Sequence, residues 1–158
     1  MLIIIAELFY SVYLRAETHR NQVDSLCNIL KNTKEPSEKL PVLLRLSKLS
    51  WQQPDEVSYL KELIDLSLQL DSLDYAYEGY SRLCRYYYND SQLDSLIFIK
   101  NQLDSLCRQR ATTPPVYFQT RFLICKYYQG ILNFELAISE AFKLLNDAKK
   151  VQDNYGLS

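Results

Sequence analysis

The sequence predicts an all-α protein: antiparallel helix pairs stacked into an α-α superhelix, about seven helices in all, preceded by an apolar N-terminal helical segment. Three observations lead there. Hydrophobic residues make up 47% of the 158 positions and charged residues 23%, with only three glycines; such a chain is too apolar for disorder and too poor in glycine for a turn-rich β fold. Apolar residues recur at three- and four-residue spacing between short polar breaks. Segments about forty residues apart also look alike, and helix pairs of that length bury their apolar faces by stacking.

A chain of this length can bury a core without disulfide or metal staples. Eighteen basic residues against nineteen acidic ones leave a formal charge of −1, so no global field favours nucleic acid or an anionic membrane surface as partner.

Residues 1–16 stand apart. Met1-Leu-Ile-Ile-Ile-Ala, then Leu8, Phe9, Tyr10, Val12, Tyr13 and Leu14, form a run too short to span a bilayer. It reads either as the remnant of a secretory signal ending near Ala16 or as an amphipathic helix packed on the first repeat. A basic leader is absent and Glu7 interrupts the run, and both readings stay open. Residues 17–158 form the helical-repeat domain.

Along that domain, a first helix carries Val23, Leu26, Cys27 and Leu30, and Pro36 marks the break before a second with Leu40, Leu43, Leu44 and Leu46. After Pro54, Asp55 is placed to cap a third, bearing Val57, Leu60, Leu63, Ile64 and Leu68. A fourth runs from about Ser72 to Tyr88. Asn89-Asp90-Ser91 precedes a fifth, Leu93 to about Arg108, and Thr112-Thr113-Pro114-Pro115 precedes a sixth, Val116 to Tyr128. Gly130 is expected to supply a left-handed turn. The seventh, Phe134 to about Val151, places Ala137, Ala141, Leu144, Leu145 and Ala148 on one face. Asp153 or Asn154 then opens a further first helix, which suggests a fragment of a longer stack.

The forty-residue step sets Gln22-Val-Asp-Ser-Leu-Cys27 two steps from Gln102-Leu-Asp-Ser-Leu-Cys107 and links Leu43, Leu83 and Leu123, which are expected to be buried at equivalent positions. Tyr80, Leu83, Cys84 and Tyr87 follow the spacing of large, leucine, small and tyrosine positions in the first helix of a tetratricopeptide repeat. Thr120, Leu123, Ile124 and Tyr127 follow half of it, and Leu40, Leu43, Leu44 and Ser47 only its leucine. Ala137 and Ala141 match the small crossing positions of the second helix. From about Gln22 onward the chain therefore resembles the tetratricopeptide family, although its step is nearer forty than thirty-four residues. An ordinary helical bundle fits the same periodicity. The tyrosine-rich, Asp-Ser-Leu-rich repeats further resemble the sensor regions of membrane-anchored bacterial histidine kinases and helix-turn-helix regulators. That resemblance implies a periplasmic or envelope location, with a membrane helix and signalling domain beyond Ser158; the alternative is a cytoplasmic regulatory repeat domain.

Catalytic signatures do not emerge. The single histidine, His19, stands apart from Cys27, Cys84, Cys107 and Cys125, no Cys-x-x-Cys pair offers zinc spacing, and Gly79, Gly130 and Gly156 are scattered. The thiols read as packing residues, and Asp90, Asp94 and Asp104 as caps and dipole partners. No cofactor or metal is expected; an enzyme with a helical fold and no recognisable motif is the remaining alternative.

The resemblance implies a concave groove, lined by first helices, that grips a protein or peptide segment. Positions two residues before, and two and five after, Leu43, Leu83 and Leu123 share a second helix face. That face places Arg45 and Lys48, Arg85 and Tyr88, and Arg121 and Tyr128 in a basic, aromatic binding stripe, with Ser81 and Cys125 between them.

Overall fold

A computed structural model of the protein describes the backbone of residues 2–154 and the side chains of residues 17–152. The described residues form seven α-helices and no strands: α1 (Leu2–Asn32), α2 (Pro36–Leu49), α3 (Pro54–Gln69), α4 (Leu73–Asn89), α5 (Leu93–Arg110), α6 (Pro115–Gly130) and α7 (Phe134–Asn154). Each of the seven helices expected between Val23 and Val151 is present. The N-terminal segment is not a separate element, however: it runs without a break into the first helix, because no glycine or proline interrupts residues 2–32. The side-chain packing expected of residues 1–16 lies outside the described residues. Helix α7 continues through Asn154, so no new helix is capped at Asp153 or Asn154, and residues 155–158 also lie outside the described part. Among the described residues no helix is long and apolar enough to cross a membrane.

The chain divides into two compact units, Met1–Tyr75 and Ala76–Ser158. In the first unit, α2 packs against both α1 and α3, burying Leu26, Leu40, Leu43, Leu46, Leu60, Leu63 and Ile64. Prolines at the first positions of α2 and α3 start those helices where an N–H has no intrahelical acceptor. Asp55 does not cap α3. Gln53 holds that position, and the fully buried Glu56 reaches back to accept the Gln52 N–H at 2.7 Å. A carboxylate three residues into a helix can satisfy donors just before it, as in a capping box. His19 ties α1 to the end of α2, its Nε2 donating to the Leu49 carbonyl at 2.9 Å, one of the four carbonyls that a helix end leaves unpaired.

In the second unit, α6 packs against α5 and α7, over a core of Ala76, Tyr80, Leu83, Cys84, Leu96, Ile99, Leu103, Val116 and Ile124. The Cys84 Sγ lies 3.0 Å from the Thr120 Oγ1. Because the Thr120 hydroxyl proton is already given to the Val116 carbonyl, the thiol is the donor. Cys84 is thus a small packing residue at the approach of α4 and α6, and burial pushes its pKa up to about 12. All four cysteines are free thiols.

The turns repeat more regularly than the sequence suggested. Asp71, Ser91, Ala111 and Leu132, every twenty or twenty-one residues, follow α3, α4, α5 and α6 with φ of 55°, 55°, 50° and 60°. The next N–H in each case reaches back five residues: Ser72 to Ser67, Gln92 to Tyr87, Thr112 to Cys107 and Asn133 to Tyr128, at 2.8–3.2 Å. That is the helix-ending Schellman pattern. Gly130, expected in the left-handed position, is instead the last residue of α6, and Leu132 takes the strained conformation. A left-handed L-residue costs roughly 1–2 kcal/mol, which the recovered carbonyl bonds offset.

The forty-residue step is visible in burial. Leu40, Tyr80 and Thr120 are all buried, as are Leu43 and Leu83. Leu123 departs from expectation: it is half-buried, and Ile124 beside it enters the core. The α7 face also differs, since Ala137 and Leu144 are half-buried whereas Ala141, Leu145 and Ala148 are exposed. Only the first two belong to the face that meets α6.

Candidate functional site

Arg45 and Lys48 are exposed on α2, within the first unit. The other four stripe residues belong to the second unit, and there the structure separates them. Arg85 is exposed and Tyr88 and Tyr128 are half-buried, but Arg121 is buried, with 8% of its surface accessible.

Arg121 was expected on the binding stripe and is not there. Its Nη2 lies 3.5 Å from Asp104 Oδ1 on α5 and 3.5 Å from Asp147 Oδ2 on α7, and its guanidinium carbon is 4.8 Å above the Tyr117 ring. Tyr117 in turn donates its hydroxyl to Asp147 at 2.9 Å, while Lys100 pairs with Asp104 at 2.9 Å. A long basic side chain is buried only when paired, and two carboxylates and a ring face supply that pairing. Burial alone would favour the neutral guanidine; Tyr117, Asp104 and Asp147 outweigh it and hold the pKa above its ordinary value. Burial, followed by the bond to Asp147, pushes the Tyr117 phenol up to about 12. Asp104 is accordingly a mid-helix ion-pair partner and not the cap it was expected to be.

One step around the helix, the exposed surface belongs to Phe122 and Lys126, neither of which is a residue of the expected stripe. Lys126 Nζ sits 5.8 Å from the Tyr88 ring centroid on α4 and 5.9 Å from that of Phe122. Two aromatic faces on neighbouring helices therefore share one ammonium. Each such contact contributes roughly 0.5–1 kcal/mol at an exposed site. The α4–α6 seam beneath is fixed by Ser81 donating to Gln119 Oε1 at 2.7 Å and by the Cys84–Thr120 bond. Tyr127 at the far end donates to the Ser91 carbonyl at 3.3 Å. Arg85, Tyr88, Phe122 and Lys126 thus form a basic, aromatic surface on two helices that cannot slide apart without breaking that seam. The Phe122-x-x-x-Lys126 spacing was a readable signal of a shared face; its meeting with Tyr88, thirty-eight residues away from Lys126 in sequence, was not.

Each cysteine with a shifted pKa is shifted upward, away from the thiolate, and among the described residues no group of three or more His, Cys, Asp or Glu side chains could hold a metal ion. What the surface can do is bind: rings give rigid amphipathic contact and the two cations meet carboxylates. Comparison with protein-family models, curated proteins and solved structures gives no match.

Proposed function

We propose that the chain is a non-catalytic helical-repeat scaffold of tetratricopeptide type, which grips a protein or peptide segment on the α4–α6 surface of Arg85, Tyr88, Phe122 and Lys126. The observation that carries this reading is the Lys126 ammonium held between the Tyr88 and Phe122 rings. Exposed aromatic side chains normally cost hydration; a preordered pair spanning two helices presents contact area whose ordering entropy has already been spent. Regular turns every twenty or twenty-one residues support the repeat part of the reading. The fitting partner is an extended or helical segment with acidic residues beside apolar ones. The family resemblance extends the proposal to the input region of a signalling receptor.

A photoreactive amino acid placed at Arg85, at Lys126 and, as a control, at Lys61 on α3 tests this in the native cell. The same partner should cross-link from positions 85 and 126, and not from 61. The double variant Arg85→Ala, Lys126→Ala should keep its stability within about 1 kcal/mol while weakening the captured partner at least tenfold, about 1.4 kcal/mol. Cross-linking that is equal at all three positions, or an unchanged affinity in the folded double variant, would remove this surface from the function.

A further inference from the structure

The buried Arg121 lines an open cleft of about 500 Å³ between α5, α6 and α7, a size within the roughly 300–1,000 Å³ of small-molecule sites. Its lining is not electrically balanced. Arg108, Arg121 and Lys150 face Asp104 and Asp147 there, three cations against two carboxylates. Both carboxylates engage Arg121, whereas Arg108 and Lys150, both exposed, have no carboxylate partner among the described residues.

Arg121 itself is under-satisfied. Its Nε–H is buried without an acceptor, and its two contacts at 3.5 Å are longer than the roughly 2.7–2.9 Å of a close charge-assisted bond. An orphaned donor on a side chain more than nine-tenths buried is uncommon enough to need a cause. Tyr117 and Val151 add apolar surface to the same cleft.

We propose that this cleft binds a small organic monoanion, a carboxylic acid with a compact apolar body. Its carboxylate sits between Arg108 and Lys150, meets the charge that no carboxylate pairs there and extends the Arg121 network; its apolar body lies against the Tyr117 ring and Val151. The site is distinct from the α4–α6 surface: Arg121 and Phe122 are adjacent residues and so point about 100° apart on the helix.

The test is an amide-resolved NMR titration of the whole chain with benzoate, its neutral isostere benzamide, and inorganic phosphate. Benzoate should give saturable shifts at Thr113, Tyr117 and Val151, with benzamide and phosphate at least tenfold weaker. The variant Arg108→Ala, Lys150→Ala changes only exposed side chains, so it should fold, and it should weaken benzoate at least tenfold. Three results would each overturn the proposal: no saturable benzoate shift, benzamide or phosphate binding as tightly as benzoate, or unchanged benzoate affinity in the rim variant. None of them bears on cross-linking at the α4–α6 surface, so the two proposals fail separately.

Discussion

Helices α5 and α7 occupy corresponding places forty-one residues apart, and they differ in what covers them. In α5, Leu96, Ile99, Leu103 and Leu106 are buried; their counterparts in α7, Ala137, Glu140, Leu144 and Asp147, are half-buried. The contrast sharpens on the neighbouring face. Leu93, Ile97, Lys100, Asp104 and Cys107 of α5 are buried or half-buried, whereas Phe134, Ile138, Ala141, Leu145 and Ala148 of α7 are all exposed. Periodicity therefore assigns an apolar face to a helix, but a neighbour is needed to make that face a core. Leu83 and Leu123 repeat the lesson on first helices, one buried and the other half-buried.

The largest effect expected from this difference lies in that leucine pair. Leu83→Ala should cost about 2–5 kcal/mol, the range for truncating a buried leucine. Leu123→Ala, already partly hydrated, should cost less than about 2 kcal/mol. Equal losses in chemical denaturation would show that the two positions share one environment and would break the comparison.

Alkaline titration sharpens it within the second unit. Cys84, Cys107 and Tyr117 have folded-state pKa values of about 12, 11 and 12 against ordinary values near 9, 9 and 10. Each group binds its proton more tightly when folded, so its stabilisation is complete below the unfolded pKa and is lost as pH rises through the folded one. Stability should fall between about pH 9 and 12, each group adding a slope of at most about 1.36 kcal/mol per pH unit. Cys84→Ala should flatten that decline. A pH-independent stability across the window would contradict the burial of these groups.

A smaller effect is expected at the turns. Ala111→Gly removes a left-handed strain of roughly 1–2 kcal/mol and adds about 0.5–1 kcal/mol of chain entropy cost. The variant should be more stable by up to about 1.5 kcal/mol in thermal or chemical unfolding. A clear loss would mean that the Ala111 methyl contributes packing that its exposed position does not suggest.

Much of this fold was legible beforehand because helix signals are local. Prolines at 36, 54 and 115 and the polar breaks between apolar runs fall where helices start and end. The turns were less legible, since glycine is the residue that signals a left-handed position and these are held by Gln52, Asp71, Ser91, Ala111 and Leu132. Tertiary satisfaction was least legible of all. Arg121 looked like a surface cation because nothing local reveals that Asp104 and Asp147 converge on it from two other helices. The same limit hid Phe122 and Lys126, whose role depends on Tyr88 across the α4–α6 seam.

The most direct test of the repeat comparison is native-state hydrogen exchange of the amides of α5 and α7 in one experiment. Repeat units that share a register but differ in cover open separately, the less covered one first. Amides of α5 should exchange only near the free energy of global unfolding, and those of α7 through a local opening of distinctly lower free energy. Equal protection of the two helices would contradict the claim that neighbour cover, and not apolar periodicity alone, distinguishes them.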